Sequence, residues 1–472
     1  MKQTAISERR CGWRRGVARP HPVPLPQGEG AARLGATTPQ AKLTRTGAFT
    51  SGQCHVEPGA AHLALLRVAT FPLSLGESAG VRAGNKLRSS SLPFRAALRW
   101  LGRMLALVVA LVTTAQPVPL TTPEGFAVPQ PGTEFQFPRD HGSHPAFALE
   151  WWYVTGHLFE TNGAHHGFQA TFFRRAAPRD AVESSAGSAA FGRGQVFLAH
   201  MALLDGTTGR FLHQERLNRD GWDAFARTNE LDVANGNWSL ARTPASGSFA
   251  LRGSIRTEAR FDLTLAPRKP LVVFGTKGVS RKAAEPTAAS HYLTFTRLAA
   301  AGALQIGERT VAVTGEAWMD HEFSSSQLGA GQVGWDWSCL QLRDGRELMV
   351  YRLRRADGST DPNSTLAWID REGRVTHSGP AELSWQPLTT WRSPATGATY
   401  PARTALATRD PATGERVTFT LEPLAADQEL TGAIGGIPYW EGACRVLDAQ
   451  GREVGRAFME LTGYAGTMQG RL

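Results

Sequence analysis

From Phe135 onward, apolar and polar residues alternate in short runs, and the runs are punctuated by turn pairs such as Asn162-Gly163, Asp205-Gly206, Asp344-Gly345 and Asp357-Gly358. Alternation with a period of two places one face of a strand on a core. Asn-Gly and Asp-Gly accept the positive φ that a tight turn demands. The clearest hairpin runs from Trp335 to Leu342, turns at Arg343-Asp344-Gly345-Arg346 and returns from Glu347 to Leu353. No stretch carries a long apolar stripe at helical spacing, so the pattern predicts an all-β chain, as barrel or sandwich.

An internal echo divides this region. Trp151, Tyr153 and Leu158, with a partner strand from Phe168 to Arg174, have the spacing of Trp335, Trp337 and Leu342 with theirs. Later, His291-Tyr292-Leu293 reaches Val313-Thr314-Gly315 over about the span that separates Pro438-Tyr439-Trp440 from Leu461-Thr462-Gly463. Both matches fall in the same order, which predicts two related antiparallel barrels in tandem, residues 135–325 and 326–472. Each is of a size to close around a pocket for one small ligand.

Charge changes the picture of the first hundred residues. The 472-residue chain has a formal charge of +10, but residues 1–103 hold 16 Lys and Arg against 4 acids, and the remainder 35 against 37. The exported part is therefore almost neutral, and nucleic acid is not expected as a partner. Residues 1–91 lack either periodicity and read as an unordered or untranslated extension, or as a basic arm. Residues 92–115 read as a signal peptide: Arg95, Arg99 and Arg103, then Met104 to Val112, then Thr113-Thr114-Ala115. Cleavage near Ala115 would deliver the protein to the periplasm or the exterior. The alternative is a buried helix or an uncleaved anchor.

Two clusters carry candidate chemistry. Ala317-Trp-Met-Asp-His-Glu-Phe-Ser-Ser-Ser326 sets Asp320, His321 and Glu322 beside Trp318 at the junction of the halves. An apolar barrel mouth would raise the pKa of Asp320 into the range of a general acid; equally, Asp320 and the serines could satisfy backbone groups at the crossing. The second cluster is Glu150-Trp151-Trp152-Tyr153 with Gln169 and Arg174, either a ligand-orienting rim at a barrel opening or core packing with a structural ion pair. Alternation puts Trp151 and Tyr153 on one face, Glu150 and Trp152 on the other. Gly329-Ala-Gly331-Gln-Val-Gly334 precedes a strand and so lacks the helix of a dinucleotide site. No zinc-ligand spacing and no Gly-x-Ser-x-Gly elbow occur, so no metal, cofactor or serine nucleophile is expected. Cys339 and Cys444 could be bridged or could be two buried thiols.

Glu150-Trp-Trp-Tyr-Val-Thr-Gly-His157, Phe168–Arg174, Ala317–Ser326, Gly334-Trp-Asp-Trp337, Tyr439-Trp-Glu-Gly442 and Glu460-Leu-Thr-Gly-Tyr464 together resemble the AttH/CrtC-like family. These are lipocalin-like secreted proteins grouped with carotenoid 1,2-hydratase (hydroxyneurosporene synthase). The resemblance implies two consecutive lipocalin-like barrels. It also implies that Asp320, in an aromatic-x-Asp motif, protonates an isolated double bond, aided by Trp318 and by His291 upstream. Trp318 would stabilise the carbocation through its π face by roughly 1–2 kcal/mol. Where the hydratases carry Tyr-x-Asp and His-x-Trp, this chain has Trp318 and Leu293, and it lies nearer the AttH branch, whose members often accompany a membrane ABC exporter. The expectation is an exported protein that binds an apolar or amphipathic molecule, with hydratase-like acid chemistry at Asp320. Its alternative is a non-catalytic lipid-binding partner of an ABC transporter. Glu150, Trp152, Tyr153, Gln169, Arg174, His321, Glu322, Trp335 and Trp337 are the expected ligand contacts.

Overall fold

The computed structural model describes residues 118–177, 194–221 and 223–470. The extension and signal peptide expected over 1–91 and 92–115 lie outside the described residues. What is described is strand, turn and loop, with two short 3-10 turns at Arg139–His141 and Pro380–Glu382.

The first sheet comprises β1 (Leu149–Glu160), β2 (His165–Ala176), β3 (Gln195–Asp205), β4 (Arg210–Arg219), β5 (Ala224–Ala226), β6 (Asp232–Asn235), β7 (Trp238–Arg242), β8 (Phe249–Ile255), β9 (Ala259–Pro267), β10 (Val272–Val273), β11 (Ser280–Arg281), β12 (Ala289–Ile306) and β13 (Arg309–Ser326). Their order is β4-β3-β2-β1-β13-β12-β9-β8-β7-β6-β5, and β3 and β4 come back against β6 and β8, so the sheet curls into a nearly closed barrel. The second comprises β14 (Gln332–Leu342), β15 (Glu347–Arg355), β16 (Thr365–Ile369), β17 (Val375–Ser378), β18 (Ser384–Pro387), β21 (Thr404–Arg409), β22 (Arg416–Pro423), β23 (Glu429–Leu430), β24 (Tyr439–Leu447) and β25 (Glu453–Leu461), while β19 (Thr390–Arg392) and β20 (Thr399–Pro401) pair only with each other. Its order, β17-β16-β15-β14-β25-β24-β22-β21-β18, repeats the first: in each, a first strand sits between the second strand and the last. The echo in the sequence is therefore an echo in topology.

The turns form as their residues dictate, with one difference. Gly163, Gly345 and Gly358 have φ of +87°, +86° and +82°. After Asp205, however, the left-handed residue is Gly209 at +72°, and Asp205 accepts from the Thr207 and Gly209 amides.

Each sheet fills its own interior. Trp152, Phe168, Phe172, Trp238, Phe249 and Phe261 pack within the first, and Trp368, Tyr400, Phe419 and Trp440 within the second. The segment before β1 stoppers one end of the first barrel: the His141 carbonyl accepts from Trp152 Nε1 at 3.0 Å, and the His141 ring lies against Phe249 and Phe295. The segment after β25 does the same for the second, where Tyr464 lies under the Arg354 guanidinium at 3.8 Å and donates to Asp336. A ligand pocket inside a barrel, as barrel size suggests, is thus replaced by a packed core.

The outer faces of β1, β12 and β13 meet those of β14, β24 and β25 in a third core that includes Tyr153, Tyr292, Trp318, Trp337 and Phe458. Gly167 permits the approach of β2 to β24, because a Cβ there would stand 2.5 Å from that of Ala443. A β-bulge in β12 between Phe295 and Leu298 frees the Thr296 carbonyl, which accepts from Gln341 Nε2 at 2.8 Å. Nearby, Glu347 of β15 binds Arg297 at 2.7 Å and Lys269 at 2.6 Å from the first half. Such paired, buried ions fix the register of one surface on another.

Cys339 and Cys444 are both buried and free. Cys339 belongs to the core between the sheets and Cys444 to the interior of the second. β25 lies between their strands, which sets their Cα atoms about 9–10 Å apart, beyond the roughly 7 Å limit for a disulfide. Both cysteines should therefore be alkylated in urea without prior reduction, as read by peptide mass spectrometry; labelling of either one only after reduction would refute this arrangement.

Candidate functional site

Residues two apart share a face of a strand, and this alone assembles the seam between the sheets. Thr294, Asp320, Tyr153, Thr171, His200 and Glu215 are successive Cα partners across β12, β13, β1, β2, β3 and β4, one transverse row turned toward the second sheet. Trp318 and Glu322 flank Asp320 on the same face. From the other side come Trp335, Trp337, Tyr439, Glu441 and Glu460.

Asp320 is 3% exposed. Its Oδ1 accepts from Thr294 Oγ1 and Trp318 Nε1, each at 2.7 Å, and its Oδ2 from the Tyr292 hydroxyl at 2.7 Å. Tyr292 in turn accepts from Trp337 Nε1 at 3.0 Å, so the second sheet reaches this carboxyl through one intermediary. Burial pushes Asp320 up to about 7; the three donors oppose that rise, and the charge of Glu322 adds to it. Trp318 and Trp337 meet edge to face at 6.2 Å. Lys282 binds Glu322 at 3.1 Å and lies 4.1 Å over the Tyr351 ring. Burial lowers the lysine and raises the glutamate, and their mutual attraction opposes both shifts.

The register supplies Asp320 with a counterpart. Tyr153 and Trp337 occupy the same place in the repeat, and their partners on the last strand of each sheet are Asp320 and Glu460. One strand further lie Thr294 and Glu441, and two residues before those, Tyr292 and Tyr439. Glu460 accepts from Trp335 Nε1 at 2.9 Å, and burial carries it up to about 7, with the charges of Asp320 and Glu322 adding. The Tyr153 hydroxyl donates to Glu441 Oε1; burial and the Glu460 charge push Glu441 well above the ordinary carboxylate range. Each first strand thus sends one aromatic across the seam into the other sheet's polar cluster.

Five expected contacts face elsewhere. Glu150, Trp152, Arg174, His321 and the proposed helper His291 have the parity that points into the first barrel, so they do not join Asp320. His291 hydrogen-bonds the Gly278 carbonyl at 2.8 Å among Phe135, Phe147 and Phe323. Glu150 receives Arg174 Nε, His144 Nδ1 and His321 Nε2, each at 2.9 Å, and the Ser143 hydroxyl at 2.7 Å. Burial would raise Glu150, but the histidine bonds and the Arg174 charge outweigh it and hold the carboxyl well below its usual range. Arg174 also donates to the His144 and Phe147 carbonyls, so this cluster anchors the barrel stopper. His144, Glu150 and His321 are the group, among the described residues, whose ligand-type atoms lie close enough to hold a metal ion, all within 4.8 Å. Their separation in sequence gave no ligand spacing to read. The guanidinium already neutralises Glu150, so these residues fit an ion pair better than a cation. Tyr153, Gln169, Glu322, Trp335 and Trp337 do lie on the seam with Asp320 and Trp318.

Sequence reading missed Lys282, Tyr292, Thr294, Glu441 and Glu460. Tyr292 and Tyr439 were visible as the ends of the echo; extending that alignment by two residues would have reached Thr294 and Glu441. Lys282 follows a two-residue strand outside the repeat, and nothing near it marks it.

A carboxyl raised in the folded state binds more protons there than when unfolded, so its contribution is most favourable at low pH and declines as pH rises from 4.5 toward about 7. Replacing Glu460 with Gln should flatten the fall in unfolding free energy across this window by about 1.4 kcal/mol per pH unit, measured by urea unfolding at several pH values. Parallel curves for the two proteins would show that Glu460 is not so perturbed.

The family profile of AttH-like proteins matches residues 128–464. The crystal structure of a protein given the name AttH, from Nitrosomonas europaea, is similar at 36% sequence identity, covering 72% of this chain and 100% of its own, with a TM-score of 0.64. Kievitone hydratase from Nectria haematococca shares the fold with a TM-score of 0.54 and 14% identity, over 74% of this chain and 96% of its own. No curated protein matches the chain significantly. With two repeated sheets joined through a buried polar seam, and with the family profile spanning both of them, this chain belongs to the AttH-like family.

Proposed function

We propose that the protein takes an apolar or amphipathic alkene into the seam between its sheets and adds water to the double bond. The observation that carries this reading is Asp320, a buried carboxyl raised to about 7 and surrounded by Trp318, Trp337 and Tyr292. At neutral pH such a group is protonated for a substantial fraction of the time, while an exposed aspartate is not. Trp151, Leu328 and Trp335, partly exposed where the seam meets the surface, are the side chains that would yield to a ligand.

In the proposed step the Asp320 O–H bond breaks, and the alkene π pair forms a C–H bond at the less substituted carbon. The other carbon is left as a tertiary cation. The electron-rich faces of Trp318 and Trp337 stabilise that cation. A water oxygen then donates a pair to it, and the proton released from the water returns to the Asp320 carboxylate, so the acid is regenerated. Tyr292, Thr294 and the Trp318 indole hold the carboxylate while it is charged. The fold shared with kievitone hydratase supports the frame but not the substrate, since one fold hosts many chemistries. Export by cleavage near Ala115 belongs to the same proposal.

Turnover is tested by incubation with farnesene in oxygen-18 water, reading heavy oxygen in an alcohol product. Asp320→Asn keeps the shape but has no acidic proton to give, so the rate should fall by about 10²–10⁴ with ligand affinity retained. Because the acid form is required, the wild-type rate should fall as pH rises through about 7. Full activity in a folded Asp320→Asn protein, or a rate that increases through neutrality, would remove Asp320 from the reaction.

A further inference from the structure

The Asp320 carboxyl and the cluster around Tyr439 differ in how completely they are satisfied. Around Asp320 every carboxylate oxygen has its donors. Around Tyr439, the equivalent of Tyr292, four buried atoms have no partner: Gln169 Oε1, His200 Nε2, Glu215 Oε1 and Glu441 Oε2. Their residues are 1%, 4%, 5% and 1% exposed. Protein interiors leave few such atoms, and these four face one patch. Gln169 Nε2 and His200 Nδ1 lie 3.1 and 2.7 Å from the Tyr439 hydroxyl, Glu215 is the cross-strand partner of His200, and Glu441 follows Tyr439 by two residues on the same face.

We propose that Gln169, His200 and Glu441 form a subsite for a hydroxyl group of the bound molecule. The hydrogen-bond inventory selects that group. Tyr439 accepts from the Gln169 amide, and its own proton goes to His200 Nδ1, which leaves the hydrogen of the imidazole on Nε2. Burial keeps this histidine neutral, down to about 4. The patch then offers the His200 N–H donor beside the Gln169 Oε1 acceptor, next to the Glu441 carboxyl, which burial pushes well above the ordinary range and whose O–H can donate as well as accept. A ketone or ether leaves the Gln169 oxygen unmet and an ammonium leaves the His200 N–H unmet, whereas a hydroxyl meets both.

The position of the patch adds a length. Asp320 and His200 stand three strands apart in one row, about 14 Å at the usual strand spacing. Resting on the alkene reading above for its apolar end, the inference names the ligand class: an alkenol, with the double bond at Asp320 and the hydroxyl at His200.

The test compares two probes on the full chain by tryptophan quenching: farnesol, whose hydroxyl and terminal double bond lie at opposite ends, and its hydrocarbon counterpart farnesene. Farnesol should bind at least about tenfold more tightly, the worth of one well-made buried hydrogen bond. Gln169→Leu and His200→Leu should each bring the two affinities together by weakening farnesol alone. Asp320→Asn should retain the preference, so a failure of the acid chemistry leaves this result intact. Equal affinities in the wild-type protein, binding of neither probe, or a preference that survives both substitutions would overturn the subsite; the wild-type comparison needs no variant to fold.

Discussion

Burying charge between two sheets is the constraint on which this structure turns. Asp320, Glu322 and Glu441 are buried in the seam and Glu460 is half-buried there, and among the described residues Lys282 is the cation that pairs with one of them. Removing a carboxylate from water costs several kcal/mol unless a partner or a proton compensates. One lysine cannot serve four acids, so the remainder must be met by hydrogen-bond donors or by protons. The tyrosines and tryptophans of the seam supply the donors, and the raised pKa values of Asp320, Glu441 and Glu460 are the part that donors leave uncompensated.

The repeat explains why the seam is polar on both sides. Each sheet is wound in the same order, so the same three strands turn outward in each and the same register positions meet. Tyr153 and Trp337, Tyr292 and Tyr439, and Asp320 and Glu460 are three such pairs. Apolar residues within each barrel hold its shape, while the ion cluster at Glu347 and the Gln341 bonds to the Thr296 carbonyl of the β12 bulge and the Ala317 carbonyl of β13 hold the barrels to one another. The polar seam rests on the contact between two cores.

Much of this was legible in the chain. Turn pairs and alternation specify the strands, and the spaced Trp-x-aromatic motif marks the first strand of both sheets. Asp320 stood out through its motif. The expected contacts that the structure sets apart share one physical reason: nearness in sequence and membership of a face are different things. His321 adjoins Asp320 and His291 adjoins Tyr292, yet both histidines point into the barrel, because neighbours on a strand face opposite ways. The same alternation, applied to Glu150 and Trp152, separates them from Tyr153. Parity could not show which face meets the second sheet, since the packing of that sheet against the outer face of the first is a long-range fact. His200, Glu215 and Lys282 became meaningful only through partners far along the chain, Tyr439 for the first of them at a separation of 239 residues.

The covalent link between the halves has a consequence for symmetry. In a dimer of identical barrels packed through the same face, each substitution would be made twice, once on either side of the axis. A change that opened one half-site would open its mate, and a change that completed one would complete both. Here Thr294 completes the shell of Asp320, while Glu441, at the matching place, brings a further acid beside Glu460. Joining two copies in one chain lets the seam hold a satisfied carboxyl at Asp320 and unpartnered polar atoms around Tyr439 together, so the ligand proposed above would meet different groups at its two ends and bind in one direction.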